Sequence, residues 1–241
     1  MWLASIKKNV EVYICIIYFR SIIKIYYQSP ITNMTLESIT IPPKNGQTPK
    51  NLIVMLHGWG ASSEDLASLA PYLDLPNCAF VFPNAPYPYP YSPTGRAWYD
   101  LRVENMYQGL KESREILTNW IQSLEESAGV PLSQTILSGF SQGGAMTMDV
   151  GLTLPLAGLV AMSGYLHADI TTPKNNYLPP TLIMHGKQDR VVPLQAAVKA
   201  RETLESLGVA VQYQEFDAEH EVNMEMLGVL RKFILNIFPQ S

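Results

Sequence analysis

Ser141 lies in the pentapeptide Gly139-Phe140-Ser141-Gln142-Gly143, a G-x-S-x-G pattern. A serine hydroxyl becomes a nucleophile when a base takes its proton and a third group orients that base. The pentapeptide suits this chemistry when a strand precedes it and a helix follows, because the sharp turn exposes the serine oxygen in a strained conformation. Residues 135–139 read as a strand and 142–152 as a helix. Glycines two positions before and two after leave room where a Cβ would clash. The start of the helix favours negative charge beside the serine. A serine that merely caps a helix, with glycines for packing, is the plain structural alternative.

The base and the acid are expected in the order serine, acid, histidine. Of four histidines, His57 precedes the serine, and His167 and His185 lie in or beside strand-like runs. His220 follows the last strand-like run and precedes the last helix-like one, which is where the base should stand. Asp189 ends the loop His185-Gly186-Lys187-Gln188-Asp189 after the preceding strand and is the expected acid. Asp217 and Glu219 are too near His220 in sequence to reach its far nitrogen easily, and Asp169 stands as the alternative acid. Neither histidine nor cysteine recurs at metal-ligand spacing, so no metal is expected.

The reaction of an acyl carbonyl also needs donors for a developing oxyanion. One is expected to be the backbone N–H of Gln142, directly after the nucleophile. The second is expected from Trp59, in His57-Gly58-Trp59-Gly60 after the strand at 51–56, with its side chain covering the acyl group. A core tryptophan is the alternative there, and His57 reads as structural.

These residues need a scaffold. Strand-like runs at 36–41, 51–56, 79–82, 135–139, 158–162, 181–184 and 209–216 alternate with helical periodicity. Leu117, Trp120, Ile121 and Leu124 share one helix face, as do Met226, Leu230, Phe233, Ile234 and Ile237, and 194–207 ends at Gly208. The inner strands are apolar on both faces, as buried parallel strands are. The expected fold class is α/β: a mostly parallel sheet with helices on both faces. The loop 82–102 breaks the alternation with five prolines and an aromatic set that includes Tyr87, Trp98 and Tyr99. These three, with Trp59, are the expected substrate wall; an Ω-loop packed on itself is the alternative.

The 241-residue chain is 47% hydrophobic with a formal charge of −4, which argues against a nucleic-acid coat. Cys15 and Cys78 form no paired motif and read as free thiols of a cytoplasmic protein. Residues 1–33 hold four basic residues against one acidic, whereas the remainder holds 13 against 20. This step sets an N-terminal extension at 1–33 apart from one domain at 34–241. The extension is too briefly apolar to span a membrane and lacks a small-x-small cleavage site. It reads as a translated stretch upstream of a start at Met34, as a membrane-surface anchor, or as an added helix.

The blocks Leu56-His57-Gly58-Trp59-Gly60, Gly139-Phe140-Ser141-Gln142-Gly143-Gly144-Ala145, Ser163-Gly164, His185 to Asp189 with Val191-Val192-Pro193, and His220-Glu221 resemble the phospholipase/carboxylesterase family. That family includes the acyl-protein thioesterases and small bacterial carboxylesterases. The resemblance implies an α/β-hydrolase fold, no cofactor, a Ser141-Asp189-His220 triad, and Trp59 and Gln142 as oxyanion donors. The chain departs from acyl-protein thioesterases at Ala61, where they carry Asp, and at Asp217-Ala218-Glu219, where they favour Gly-x-Gly. The expected activity is hydrolysis of small esters, with thioesters and lysophospholipids as further candidates. The expected partner is such a small-molecule ester or thioester, with no nucleic acid and no integral membrane span; a homodimer is the open assembly. A peptidase, a dienelactone-type hydrolase and a non-catalytic binding protein are the competing readings on this fold.

Overall fold

The computed structural model describes residues 35–169 and 177–239. The expected extension at 1–33 lies outside them, as does Cys15. Strands β1 (Ser38–Ile41), β2 (Asn51–Leu56), β3 (Cys78–Pro83), β6 (Thr135–Phe140), β7 (Gly158–Met162), β8 (Thr181–Gly186) and β9 (Val211–Phe216) form one sheet in the order β1-β3-β2-β6-β7-β8-β9. Only β1 runs antiparallel. All seven expected strands are present, and the sheet is mostly parallel, as the expected α/β class requires.

The alternation of side chains along each strand builds two cores. Leu52, Val54, Leu137, Leu159 and Ile183 face α3 (Leu110–Ala128), α4 (Gln142–Gly151) and α5 (Leu194–Ser206). Ile53, Met55, Ile136, Val160 and Leu182 face α1 (Ser63–Ala67), α2 (Ala70–Leu73) and α6 (Met224–Ile237). Each fully buried aliphatic side chain stabilises by roughly 1.5–3 kcal/mol, which fixes strand register on both faces. The α5 stop at Gly208 is a left-handed residue with φ +88°. Asn223 caps α6 by accepting from the Met226 N–H.

Two short helices, α1 and α2, have no counterpart in the sequence reading. The segment 82–102 is also not structureless: it contains a two-stranded ribbon of β4 (Tyr87–Pro88) and β5 (Arg96–Ala97). Arg96 ties the ribbon down by donating from its guanidinium to the Ala85 and Pro86 carbonyls.

Strand order locates the site. The chain moves from β2 outward to β3, then crosses back to place β6 on the other side of β2. At such a reversal the loops leaving the strands' carboxyl ends diverge and leave a crevice, where ligands of open α/β sheets bind. The loops that open here are His57–Gly60 and the Ser141 turn.

Candidate active site

Ser141 has φ 54° and ψ −117°, a left-handed conformation forced on a residue with a Cβ. Such strain is held only where the surroundings over-determine it. Here its N–H donates to the Met162 carbonyl at 2.8 Å, and α4 begins at once, with the Ala145 N–H on its carbonyl at 3.0 Å. The flanking glycines are required by contact. A Cβ on Gly139 would overlap the Gly143 carbonyl, and one on Gly143 would overlap the carbonyls of Leu56 and His57. Backbone meets backbone at both places, so neither can yield cheaply. Gly143→Ala is therefore expected to lower stability by about 3 kcal/mol, the upper end of overpacking costs, read from the urea midpoint.

The loops after β8 and β9 are laced together. The Lys187 N–H donates to the Phe216 carbonyl and the Gln188 N–H to that of Ala218. This brings Asp189 and His220 side by side. His220 Nδ1 lies 2.7 Å from Asp189 Oδ2, and His220 Nε2 lies 2.9 Å from Ser141 Oγ. The ring packs on Phe140 at 4.7 Å between centroids. Asp189 Oδ1 accepts from the N–H groups of Val191 and Val192 at 2.9 and 2.8 Å. Burial alone would push the Asp189 carboxyl up, but the bonds from His220, Val192 and Val191 outweigh it and hold the group below its ordinary range. The alternative acid, Asp169, is instead a bidentate partner of the Arg114 guanidinium.

On the opposite loop, the Gly60 N–H donates to Arg96 and the Ala61 N–H to Gly58. The N–H groups of Trp59 and Gln142 have no partner among the described residues, which suits both to an incoming oxyanion. The Gln142 side chain is locked away from the crevice: its oxygen accepts from the Trp98 N–H and its amide donates to the Tyr99 carbonyl.

His57 is structural. Its Nε2 accepts from the Ala85 N–H at 3.0 Å, so Nδ1 carries the hydrogen and donates to the Gly58 carbonyl at 2.8 Å. Burial lowers its pKa to about 4 from 6.5, only partly opposed by the bond to Gly58. The unfolded chain therefore binds a proton near pH 6.5 that the folded chain refuses until about pH 4. Stability from this group is full above pH 6.5 and is lost as the pH falls, by about 3 kcal/mol at pH 4. Denaturation midpoints compared across that window should show the loss in the wild type and lack it in His57→Gln.

The expected substrate wall divides. Trp98 and Tyr99 are corrected: both are fully buried core side chains. The Trp98 indole donates to the His57 carbonyl and the Tyr99 hydroxyl bonds His167 and Tyr165, so the loop's inner half is packing. Tyr87 and Trp59 are half-buried and line a cleft of about 480 Å³ with Tyr89, Ala97 and the charged Asp100, Arg102 and Glu112. The Trp59 indole stands edge-on to Tyr89 at 4.9 Å, and its Nε1 is buried without a partner among the described residues. Sequence reasoning missed the Val191 and Val192 amides and the side-chain role of Gln142. It also missed a polar chain through Asp149, His167, Tyr99 and Tyr165. None of these has a motif. Among the described residues no cluster of His, Cys, Asp and Glu could hold a metal ion, and no helix is long and apolar enough to cross a membrane.

Comparison with known proteins agrees with this architecture. The profile described as Phospholipase/Carboxylesterase matches residues 38–237. Acyl-protein thioesterase 1 of Kluyveromyces lactis is 31% identical, over 71% of this chain and 83% of the relative. That of Saccharomyces cerevisiae is 32% identical, over 65% and 78%. Among solved structures, esterase PE8 superposes with a TM-score of 0.78 at 30% identity, covering 85% of this chain and 100% of its own. The Bacillus cereus carboxylesterase shares the fold with a TM-score of 0.74 at 15% identity, covering 86% and 96%. The chain belongs to the phospholipase/carboxylesterase family and is a carboxylic ester hydrolase on an α/β-hydrolase fold.

Proposed function

We propose that the reaction runs through a Ser141 acyl-enzyme, with His220 as the base, Asp189 as its orienting acid, and the Trp59 and Gln142 N–H groups as the oxyanion hole. The observation that carries this reading is the continuous chain Ser141 Oγ–His220 Nε2 at 2.9 Å and His220 Nδ1–Asp189 Oδ2 at 2.7 Å. With Asp189 Oδ1 taken by two N–H groups and Oδ2 facing the ring, Nδ1 carries the hydrogen and Nε2 is free to accept.

Ser141 Oγ attacks the acyl carbonyl as its proton passes to Nε2. The carbonyl oxygen becomes an oxyanion held by the two amides, each such donor typically contributing about 10²–10³ in rate. Collapse expels the alcohol or thiol, which takes the proton from His220. Water then gives its proton to Nε2, attacks the acyl-serine, and releases the acid while Ser141 recovers its hydrogen.

Trp59 joins the two places, with its N–H in the proposed oxyanion hole and its half-buried ring on the cleft with Tyr87, and this supports the cleft's aromatic side as the place for an apolar acyl or aryl group, with esters as the primary substrates. The acyl-protein thioesterase relatives favour thioesters as a second class. The test is kcat/KM across p-nitrophenyl esters of rising acyl length, with a matched thioester series. A rise with chain length supports the cleft; a flat profile removes it. A cytoplasmic location is proposed on the free, buried thiol of Cys78, which burial pushes up to about 11 and keeps unreactive.

A further inference from the structure

We propose that Tyr165 is a specificity-determining contact whose hydroxyl, oriented by Asp149, His167 and Tyr99, offers only an acceptor to the substrate and so selects esters bearing a hydrogen-bond donor. This rests on the Ser141 reading for the reaction it serves.

The direction of each hydrogen follows from the end of the chain. Asp149 Oδ2, buried on α4, receives the Arg114 guanidinium through Nε at 2.9 Å and a terminal nitrogen at 2.8 Å. A guanidinium only donates, so Oδ2 accepts. His167 Nδ1, at 2.6 Å from the same oxygen, must then carry the hydrogen, which leaves Nε2 as an acceptor. Tyr99 lies 2.8 Å from Nε2 and donates its one hydrogen there. Tyr165 lies 2.6 Å from the Tyr99 oxygen and must donate its own, since two bare oxygens would repel. The Tyr165 hydrogen is thus committed inward, and only lone pairs are left outward. Burial pushes its phenol up to about 12, so the hydrogen stays on.

The backbone places Tyr165 close to the nucleophile turn. It follows β7, the strand beside the nucleophile strand, and the Ser141 N–H bonds Met162, three residues before it. Ser163 takes φ 48°, a second strained left-handed residue, and turns the chain so that Gly164 lies against Gly144 in the first turn of α4. Tyr165 is only partly buried, and Tyr99 is its hydrogen-bond partner among the described residues. A buried relay that ends on a half-buried tyrosine, one residue after the glycine packed on the nucleophile helix, sets the polarity of that tyrosine's hydroxyl.

The test uses matched pairs in which a methyl group replaces the donor hydrogen, and the Tyr165→Phe ratio sets the baseline for the added bulk. The acyl arm compares p-nitrophenyl 3-hydroxybutyrate with its 3-methoxy counterpart. The alcohol arm compares 2-hydroxyethyl butyrate with 2-methoxyethyl butyrate. Wild type is expected to favour the hydroxy member about fivefold in kcat/KM in one arm, mainly through KM, as a single added hydrogen bond would give. Tyr165→Phe is expected to bring that ratio to one. Tyr99→Phe, which frees the Tyr165 hydrogen to point outward, is expected to shift preference toward the methoxy member, a change that a purely structural relay would not produce. Equal rates in both arms for wild type, or a ratio that survives Tyr165→Phe, overturns the proposal. Hydrolysis of plain p-nitrophenyl butyrate reports on the acyl-enzyme reading separately.

Discussion

Ser141→Ala is expected to lower kcat/KM on p-nitrophenyl butyrate by about 10⁵-fold or more, and to abolish covalent labelling by a fluorophosphonate. Loss of a serine nucleophile costs that much in other hydrolases because nothing else can form the acyl-enzyme, whatever else is intact. The substitution is clean here. Alanine keeps the Cβ, so the left-handed backbone at φ 54° is neither relieved nor worsened. The turn is fixed by the bond from its N–H to Met162, by the Gly139–Gly143 contact and by α4, none of which uses the hydroxyl. The urea midpoint should therefore stay near wild type while turnover disappears. Residual rate above water, about 10³–10⁴-fold in comparable sites, would report the unfilled Trp59 and Gln142 amides and substrate binding. Wild-type turnover in the variant would move the nucleophile elsewhere. Labelling separates an active site from a binding protein that merely kept the pocket, since only an activated serine reacts.

The parts of this site that local sequence could carry were legible, and those made by distant contact were not. Buried strands such as Leu52 to Met55 and Leu159 to Met162 are apolar on both faces, and that pattern needs no partner to be read. The order of Ser141, Asp189 and His220 follows from the order of the strands that bear them. The short helices α1 and α2 are too brief to show a period, and Pro71 at the start of α2 reads as a break. The aromatic loop misled because composition cannot separate its two halves. Tyr87 and Trp98 are equally aromatic, and distant partners draw the second inward: the Gln142 side chain on its backbone N–H, 44 residues away, and the His57 carbonyl on its indole. The chain from Asp149 to Tyr165 is likewise assembled from α4, the aromatic loop and the segment after β7. No spacing rule announces such a set; topology alone brings it together.

Asp189→Asn is expected to lower kcat about 10⁴-fold at neutral pH while leaving the fold in place, the loss seen when an equivalent acid is made neutral elsewhere. The structure specifies why. The Oδ1 position is held by the N–H groups of Val191 and Val192 at 2.9 and 2.8 Å, and only an oxygen can accept them. The asparagine carbonyl must occupy that position, which forces its NH₂ to the place of Oδ2, facing His220 Nδ1. That NH₂ donates, so Nδ1 must become the acceptor and the hydrogen moves to Nε2. Nε2 then points a hydrogen at Ser141 Oγ and can no longer take its proton. The positive ring formed during attack also loses its countercharge. His185 is undisturbed, because its Nε2 is engaged with the Val192 carbonyl at 2.8 Å and lies 3.5 Å from Oδ2. Fluorophosphonate labelling should therefore be slowed in this variant rather than abolished, which distinguishes a lost base from the lost nucleophile of Ser141→Ala. If Asp189→Asn kept turnover within tenfold of wild type, the acid would have to be sought elsewhere. Asp169 would not serve, since Arg114 holds both of its oxygens. Asp217 is already paired with Lys187 at 2.9 Å, so it too is engaged elsewhere.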